Sequence, residues 1–169
     1  MRSGRPPIWN IAEGFSGDAW TGVVEVTSKD RILIPSSARR RVPWLTHGVD
    51  QAVLAEIKGD AIELRPWEDA GTALVRRLEE VAETLTGTRR QDLAIATMDR
   101  FARLSIGSDG RTVLPAHLSH HLGVHLSNAI RIVVREGAIW LWSEAGWTSS
   151  RRGRFLDMDK LLQAEAGDG

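Results

Sequence analysis

Two nine-residue stretches of the sequence each place an arginine directly after a polar turn. Residues 27–35 read TSKDRILIP, and residues 107–115, eighty positions later, read GSDGRTVLP. An arginine can bind a phosphate group or the edge of a guanine through two parallel hydrogen bonds. Arg31 and Arg111 are therefore the residues whose type and repetition best suit contact with an anionic partner.

The first of these stretches begins a basic segment of an otherwise neutral chain. The chain has 22 basic and 22 acidic residues, which excludes a highly basic protein that coats nucleic acid but allows a local basic patch. Residues 29–41 carry a net charge of +4. Their basic members are Lys29, Arg31, Arg39, Arg40 and Arg41. Either this segment contacts an anionic partner, or the helical arginines form a solvated face and the turn arginines brace the fold.

The same order of elements accompanies each turn. A β-branched strand, the polar turn, a second strand that ends at a proline, a short helix and a β-hairpin are predicted for residues 21–66 and again for 101–150. Residues 67–100 show helical spacing, with a first helix over 67–85, and form a helical connector. A repeat of element order is a more specific signal than either turn motif alone.

The remaining segments and the composition narrow the class of protein. Residues 1–20 predict an irregular arm and residues 151–169 a partly helical tail. No apolar run approaches the roughly 20 residues of a membrane helix, and no segment suits a signal peptide. The absence of cysteine excludes disulfides and thiolate metal sites. We therefore expect a cytoplasmic protein.

The repeated motifs resemble those of the MraZ family, whose members carry two AbrB-type swapped-hairpin units in one polypeptide. The resemblance rests on SKDRILIPSSARRRV, SDGRTVLPAHLSHHLGV and the endings IELRPW and IWLWSEAGW, and it covers about residues 22–150. It implies a β-rich α+β fold in which two AbrB-like repeats form a small, pseudo-two-fold β-barrel joined by the helical connector. It also implies a nucleoid-associated transcription regulator that binds double-stranded DNA and assembles into a homo-oligomer, a ring in the family.

Both turns depart from the family's motif, Asp-x-x-Gly-Arg. Thr27 and Gly107 stand where the family has aspartate, and Asp30 stands where it has glycine. Aspartate tolerates the left-handed conformation better than most residues, so Asp30 either fits its turn under strain or reshapes it. Asp109 lies beside Arg111, so we expect the two copies to differ in their contact with DNA.

The resemblance and the charge pattern together predict a DNA interface. Its predicted members are Lys29, Arg31, Arg39, Arg40, Arg41, Ser108 and Arg111. We expect no cofactor, no membrane partner and no small-molecule substrate. The alternative is an AbrB-type protein-interaction or antitoxin-like oligomeric module with little affinity for DNA.

Other residues that could do chemistry favour neither catalysis nor metal binding. No Ser-His-Asp order, phosphate-binding glycine loop or HExxH helix is present, so an enzyme is not predicted. His117, His120 and His121 would share one side of a short helix, but three neighbouring histidines are not a preorganised metal site. They align with the helix of the first copy that bears arginines, which favours an anion-facing surface. Trp140 and Trp142 alternate along a strand, which favours packing in the core or at a subunit interface.

Overall fold

The computed structural model describes residues 10–45 and 48–167. The strands in these ranges are β1 (Trp20–Glu25), β2 (Arg31–Leu33), β3 (Gln51–Lys58), β4 (Ala61–Pro66), β5 (Phe101–Ile106), β6 (Arg111–Val113), β7 (Ala129–Arg135) and β8 (Ala138–Ser143). The α-helices are α1 (Ser36–Arg39), α2 (Thr72–Glu83), α3 (Thr88–Arg100), α4 (Ala116–His121) and α5 (Glu144–Gly167). The fold is mixed α+β, which confirms the predicted class.

The strand order is symmetric between the two halves of the chain. Within the described residues, an antiparallel sheet of six strands has the order β1-β7-β8-β4-β3-β5, and β2 pairs with β6 in a separate ribbon. If each strand is replaced by its counterpart from the other half (β1 by β5, β3 by β7 and β4 by β8, and the reverse), the same strand order results, read from the opposite edge of the sheet. The first strand of each half thus pairs with the hairpin of the other half, β1 with β7 and β5 with β3.

The predicted closure into a small barrel is not found in the pairing of the described residues. The larger sheet ends at β1 and β5, and the ribbon β2–β6 forms a second sheet. Both ribbon strands are three residues long, and each lies between a residue of positive φ and a proline two residues beyond its end. Because proline has no amide hydrogen to donate, neither strand can lengthen its ladder in that direction.

The core lies on the inner face of the large sheet and extends under the ribbon and the two short helices. Successive side chains of β7 alternate between the two faces of the sheet, and those on the inner face, Ile130, Ile132 and Val134, are fully buried. Helices α1 and α4 each add an apolar residue to this core, Ala38 and Leu118, both 0% exposed. Burial of these side chains from both halves stabilises the two halves as one unit, because neither half encloses its own apolar face.

The outer face of the sheet carries a network of buried carboxylates and basic side chains. Glu56 and Glu63 lie directly opposite each other on β3 and β4, and both are buried. Arg65 lies between them, with Nη2 3.1 Å from Glu56 and Nε 2.8 Å from Glu63. Lys58 Nζ lies 2.8 Å from the same Glu63 oxygen as Arg65, and Arg100 Nη2 lies 3.2 Å from the second carboxylate oxygen of Glu56. Opposed like charges destabilise a sheet, so these basic groups are needed to hold the pair.

The connector and the tail differ in detail from the prediction. The segment Trp67–Gly71 is a π-helical turn, and α2 begins only after it. Helix α5 begins at Glu144, inside the segment predicted as the second repeat. Of the predicted arm and tail, residues 1–9 and 168–169 lie outside the described residues. Among the described helices, none combines the length and apolar character needed to cross a membrane.

Trp140 and Trp142 share one face of β8, as their alternation predicts. Ile139, which precedes Trp140, and Leu141, which lies between the two tryptophans, are fully buried in the core. Both tryptophans lie partly exposed on the outer face. The Nζ of Lys58 lies 5.7 Å from the centre of the Trp140 ring. Trp140 therefore packs under a basic side chain, whereas Trp142 packs edge-on against Trp147 at 5.6 Å, and neither tryptophan is part of the buried core.

Candidate nucleic-acid interface

The two repeated turns have the same backbone geometry. In the first turn, the Thr27 N–H donates to the Arg31 carbonyl (2.9 Å) and the Asp30 N–H donates to the Thr27 carbonyl (3.0 Å). The corresponding bonds of the second turn measure 2.7 and 2.9 Å. Asp30 has φ +56° where Gly110 has φ +92°. Asp30 therefore adopts the left-handed conformation that the turn requires, and the turn is not reshaped.

Each turn is hydrogen-bonded to the strand that follows the other turn. The Ile34 N–H donates to the Gly110 carbonyl at 3.0 Å, and the Leu114 N–H donates to the Asp30 carbonyl at 2.8 Å. These reciprocal bonds continue the pairing of the ribbon at both ends. The two arginine-bearing turns are consequently fixed relative to each other by the backbone.

The ribbon presents its two arginines on one face. Arg31 pairs with Val113 in the register, and Leu33 pairs with Arg111. All four of these side chains are exposed, whereas the central pair of the ribbon is buried. The two arginines are diagonal neighbours, which places their Cα atoms roughly 7–8 Å apart. On the outer face of the ribbon, each arginine therefore lies opposite an aliphatic side chain of the other strand.

The two arginines differ in their surroundings. Arg111 Nη1 lies 2.7 Å from Asp109 Oδ2, and the Arg111 N–H donates to Asp109 Oδ1 at 3.1 Å. That backbone hydrogen bond is the main cause that lowers the pKa of Asp109, and the guanidinium charge lowers it further. The Arg31 side chain has no partner within the described ranges. One arginine of the ribbon is thus unpaired and the other is held by a carboxylate.

Two of the predicted contact residues are engaged with the protein's own backbone. Arg39 Nε donates to the Ile34 carbonyl at 3.0 Å. Arg41 donates to the Gly17 carbonyl at 2.9 Å and lies 3.5 Å from Glu13. These bonds fix α1 to the ribbon and to the segment before β1. Two of the five basic side chains of the +4 segment are therefore held in place by groups of the protein itself.

The remaining predicted residues are exposed. Lys29 and Ser108 lie at the tips of the two turns, and Arg40 lies at the end of α1. The Ser108 N–H donates to Asp50 Oδ1 at 2.8 Å, which ties the second turn to the residue before β3. Among the described residues, the side chains of Lys29 and Arg40 have no hydrogen-bond or ion-pair partner. The structure thus brings Arg31 and Arg111 onto one face, with Lys29 and Ser108 beside them.

A third exposed arginine, which the sequence analysis did not single out, lies beside the ribbon. A groove of about 460 Å³ runs between β5 and the ribbon, and Arg31, Arg103 and Arg111 all line it. Arg103 is an exposed position of β5, an edge strand of the large sheet. The alternation in RLSI could have identified Arg103 as an outward-facing residue, but only the pairing of the strands shows which surface it joins.

The histidines of α4 lie on another side of the molecule, in a groove of about 810 Å³. His121 Nε2 lies 2.9 Å from the Gly59 carbonyl, and His120 stacks on His125 at 4.6 Å. Within residues 10–45 and 48–167, no group of three potential ligands converges as a metal site. The anion-facing role of these histidines stays a prediction.

No protein-family model and no curated protein matches this chain. The resemblance of the turns to the MraZ family therefore stays a prediction, and the function has to be argued from the geometry of the ribbon.

Proposed function

We propose that this protein is a transcription regulator of the MraZ and AbrB type that binds double-stranded DNA through the β2–β6 ribbon. The observation that carries the proposal is the outer face of the ribbon, where Arg31 and Arg111 are exposed and fixed relative to each other. A two-stranded β-ribbon fits the major groove of B-DNA, and several regulators read DNA in this way.

The ribbon offers two kinds of contact to DNA. Guanidinium groups bind phosphates, which gives affinity without sequence preference, or bind guanine edges, which gives preference. Leu33 and Val113 are 47% and 54% exposed between the arginines, and aliphatic groups in this position can contact thymine methyl groups. Arg39 and Arg41 act in this proposal as braces that hold α1 and the ribbon in place.

The proposed fold is a pair of AbrB-like swapped-hairpin repeats. The exchange of first strands between the two halves and the reciprocal bonds between the turns support this reading. A pseudo-two-fold axis passes between the two turns in such an arrangement, and DNA has the same local symmetry. The proposal places the protein in the cytoplasm with the nucleoid.

A second candidate function is a protein-interaction module that forms a homo-oligomer. Large apolar side chains are exposed on two helices away from the ribbon. Ile95 and Met98 on α3 are 63% and 71% exposed, and Leu161 on α5 is 70% exposed. Contiguous exposed apolar patches mark contact surfaces for other proteins, and Ile95 and Met98 are neighbours on α3 because they are three positions apart. We propose that these helices mediate self-association, which is compatible with DNA binding and is also sufficient for the second function alone.

The experiment that separates the two functions is a duplex-binding assay. The purified protein is titrated against a labelled duplex from the region upstream of its own gene and against random duplex of equal length, at several salt concentrations. Tighter binding to the upstream region, with log affinity falling linearly with log salt, is expected for the regulator. If the protein binds no duplex at low salt and light scattering shows an oligomer, the result would favour the second function, the protein-interaction module.

A further inference from the structure

The groove beside the ribbon is built for an anion. Arg31 and Arg111 form one wall, and Arg103 of β5 forms the other. Ser105 of the same strand is exposed and lines the groove with its neighbours. Among the described residues, no carboxylate lines this groove, although Asp109 pairs with Arg111 at its edge. Three guanidinium groups therefore share the groove, and only one of them is paired with a carboxylate.

Arg103 is oriented without being neutralised. Its guanidinium carbon lies 4.6 Å from the centre of the Trp67 ring. Trp67 belongs to the π-helical turn after β4 and packs against Gly71, where a side chain would have no room. Stacking on an aromatic face restricts an arginine but leaves its hydrogen-bond donors free. Arg103 has no acidic partner in the described part of the chain.

From this arrangement we propose that the groove binds one phosphate of the DNA backbone and that Arg103 is a phosphate contact. The inference rests on the proposed function, because it assigns a further contact of the same interface. An oxyanion in the groove would receive hydrogen bonds from donors on both walls, and its charge would relieve the repulsion among the guanidinium groups. Such charge-assisted hydrogen bonds are roughly twice as strong as hydrogen bonds between neutral groups.

Among the described residues, the corresponding place in the first half of the chain has no arginine equivalent to Arg103. The residue eighty positions before Arg103 is Val23, which occupies the corresponding place on β1 and is 49% exposed. An aliphatic side chain offers no donor to a phosphate. The protein therefore binds duplex DNA in one preferred orientation despite its pseudo-two-fold fold, and its operator is correspondingly asymmetric.

The test compares Arg103→Ala with a matched control, Arg135→Ala. Arg135 is also exposed and also lies over a tryptophan, 5.5 Å from the Trp140 ring, but it does not line the groove. The slope of log affinity against log salt is negative, and removing one phosphate contact makes it shallower by about 0.9. We expect this decrease for Arg103→Ala on every duplex and an unchanged slope for Arg135→Ala. Thermal unfolding of both variants checks that each one folds.

A second measurement keeps the inference separate from the proposed function. The arginine Nε–H signals are followed by NMR while inorganic phosphate is added to the full chain. We expect the signals of Arg103 and Arg111 to shift and that of Arg135 to stay. If the wild type binds duplex DNA but Arg103→Ala leaves the salt slope unchanged, the inference is wrong and the function stands. If the wild type binds no duplex, the proposed function is wrong. If the Arg103 and Arg111 signals also stay unshifted when phosphate is added, the inference is wrong as well.

Discussion

Replacing Asp109 by asparagine should strengthen DNA binding, because the carboxylate competes with DNA for Arg111. Asp109 Oδ2 lies 2.7 Å from the guanidinium, whose side chain is 69% exposed. A phosphate that approaches Arg111 must displace this carboxylate and also experiences its repulsion. Asparagine retains the oxygen that accepts the Arg111 N–H, so the turn is expected to keep its conformation.

The size of the effect follows from counting phosphate contacts. If Arg111 gains one full phosphate contact, the slope of log affinity against log salt becomes steeper by about 0.9. Affinity should rise most at low salt, where release of one further counterion is most favourable. Fluorescence anisotropy at four or five salt concentrations measures the slope directly. In the background of Arg111→Ala, the Asp109→Asn substitution should leave the slope unchanged, because the freed arginine is missing.

The pH dependence gives an independent check of the same pair. The pKa of Asp109 is lowered, first by the Arg111 N–H and then by the guanidinium charge, so the carboxylate stays ionised at every pH above its ordinary value of 3.8. The difference in salt slope between the wild type and Asp109→Asn should therefore be constant from pH 8 to 5. It should disappear only as the pH falls through the lowered pKa. A slope identical in both proteins at pH 7 would refute the competition argument.

Further predictions concern stability, measured by chemical unfolding. Gly110→Ala should lower the free energy of unfolding by more than about 2 kcal/mol, because a Cβ there meets a backbone carbonyl at 2.6 Å and φ is positive. Gly123→Ala, with positive φ but open space, should cost only about 1 kcal/mol. Thr112→Val should be neutral or stabilising by up to about 1 kcal/mol, since the buried hydroxyl has no partner in the described residues. Arg65→Met should cost about 2–3 kcal/mol, because it leaves buried Glu63 undercompensated.

The repeated pattern in the sequence was sufficient to predict the strands and turns of each half, although not the π-helical turn Trp67–Gly71 or the start of α5 at Glu144. The strand after each turn ends before Pro35 or Pro115, as the missing amide donor of proline requires. The hairpin predicted in the first half forms, and Gly59 at its tip has the positive φ that such a turn needs. These features depend on neighbours in the sequence, so a single sequence contains the information for them.

The pairing between the two halves could not be predicted from local pattern. Nothing in the alternation of β1 indicates that it pairs with β7 and not with a strand of its own half. The same limitation affects the interface. Arg39 was predicted as a DNA contact from its charge, whereas the hydrogen bond from its Nε to the Ile34 carbonyl becomes visible only in the folded chain. Arg103 was passed over because its surface is formed by a strand and a ribbon that are brought together only in the folded chain.

The most direct test of the central claim is duplex binding by the double variant Arg31→Ala/Arg111→Ala. Its matched control is Arg76→Ala/Arg77→Ala, which removes the same charge from exposed positions of α2, outside the ribbon. The account predicts that the ribbon variant stays folded, binds every duplex more weakly and has a salt slope that is shallower by at least about 0.9, the contribution of the unpaired Arg31. The control should keep the affinity and slope of the wild type. Equal affinities for the wild type and the ribbon variant would contradict the account.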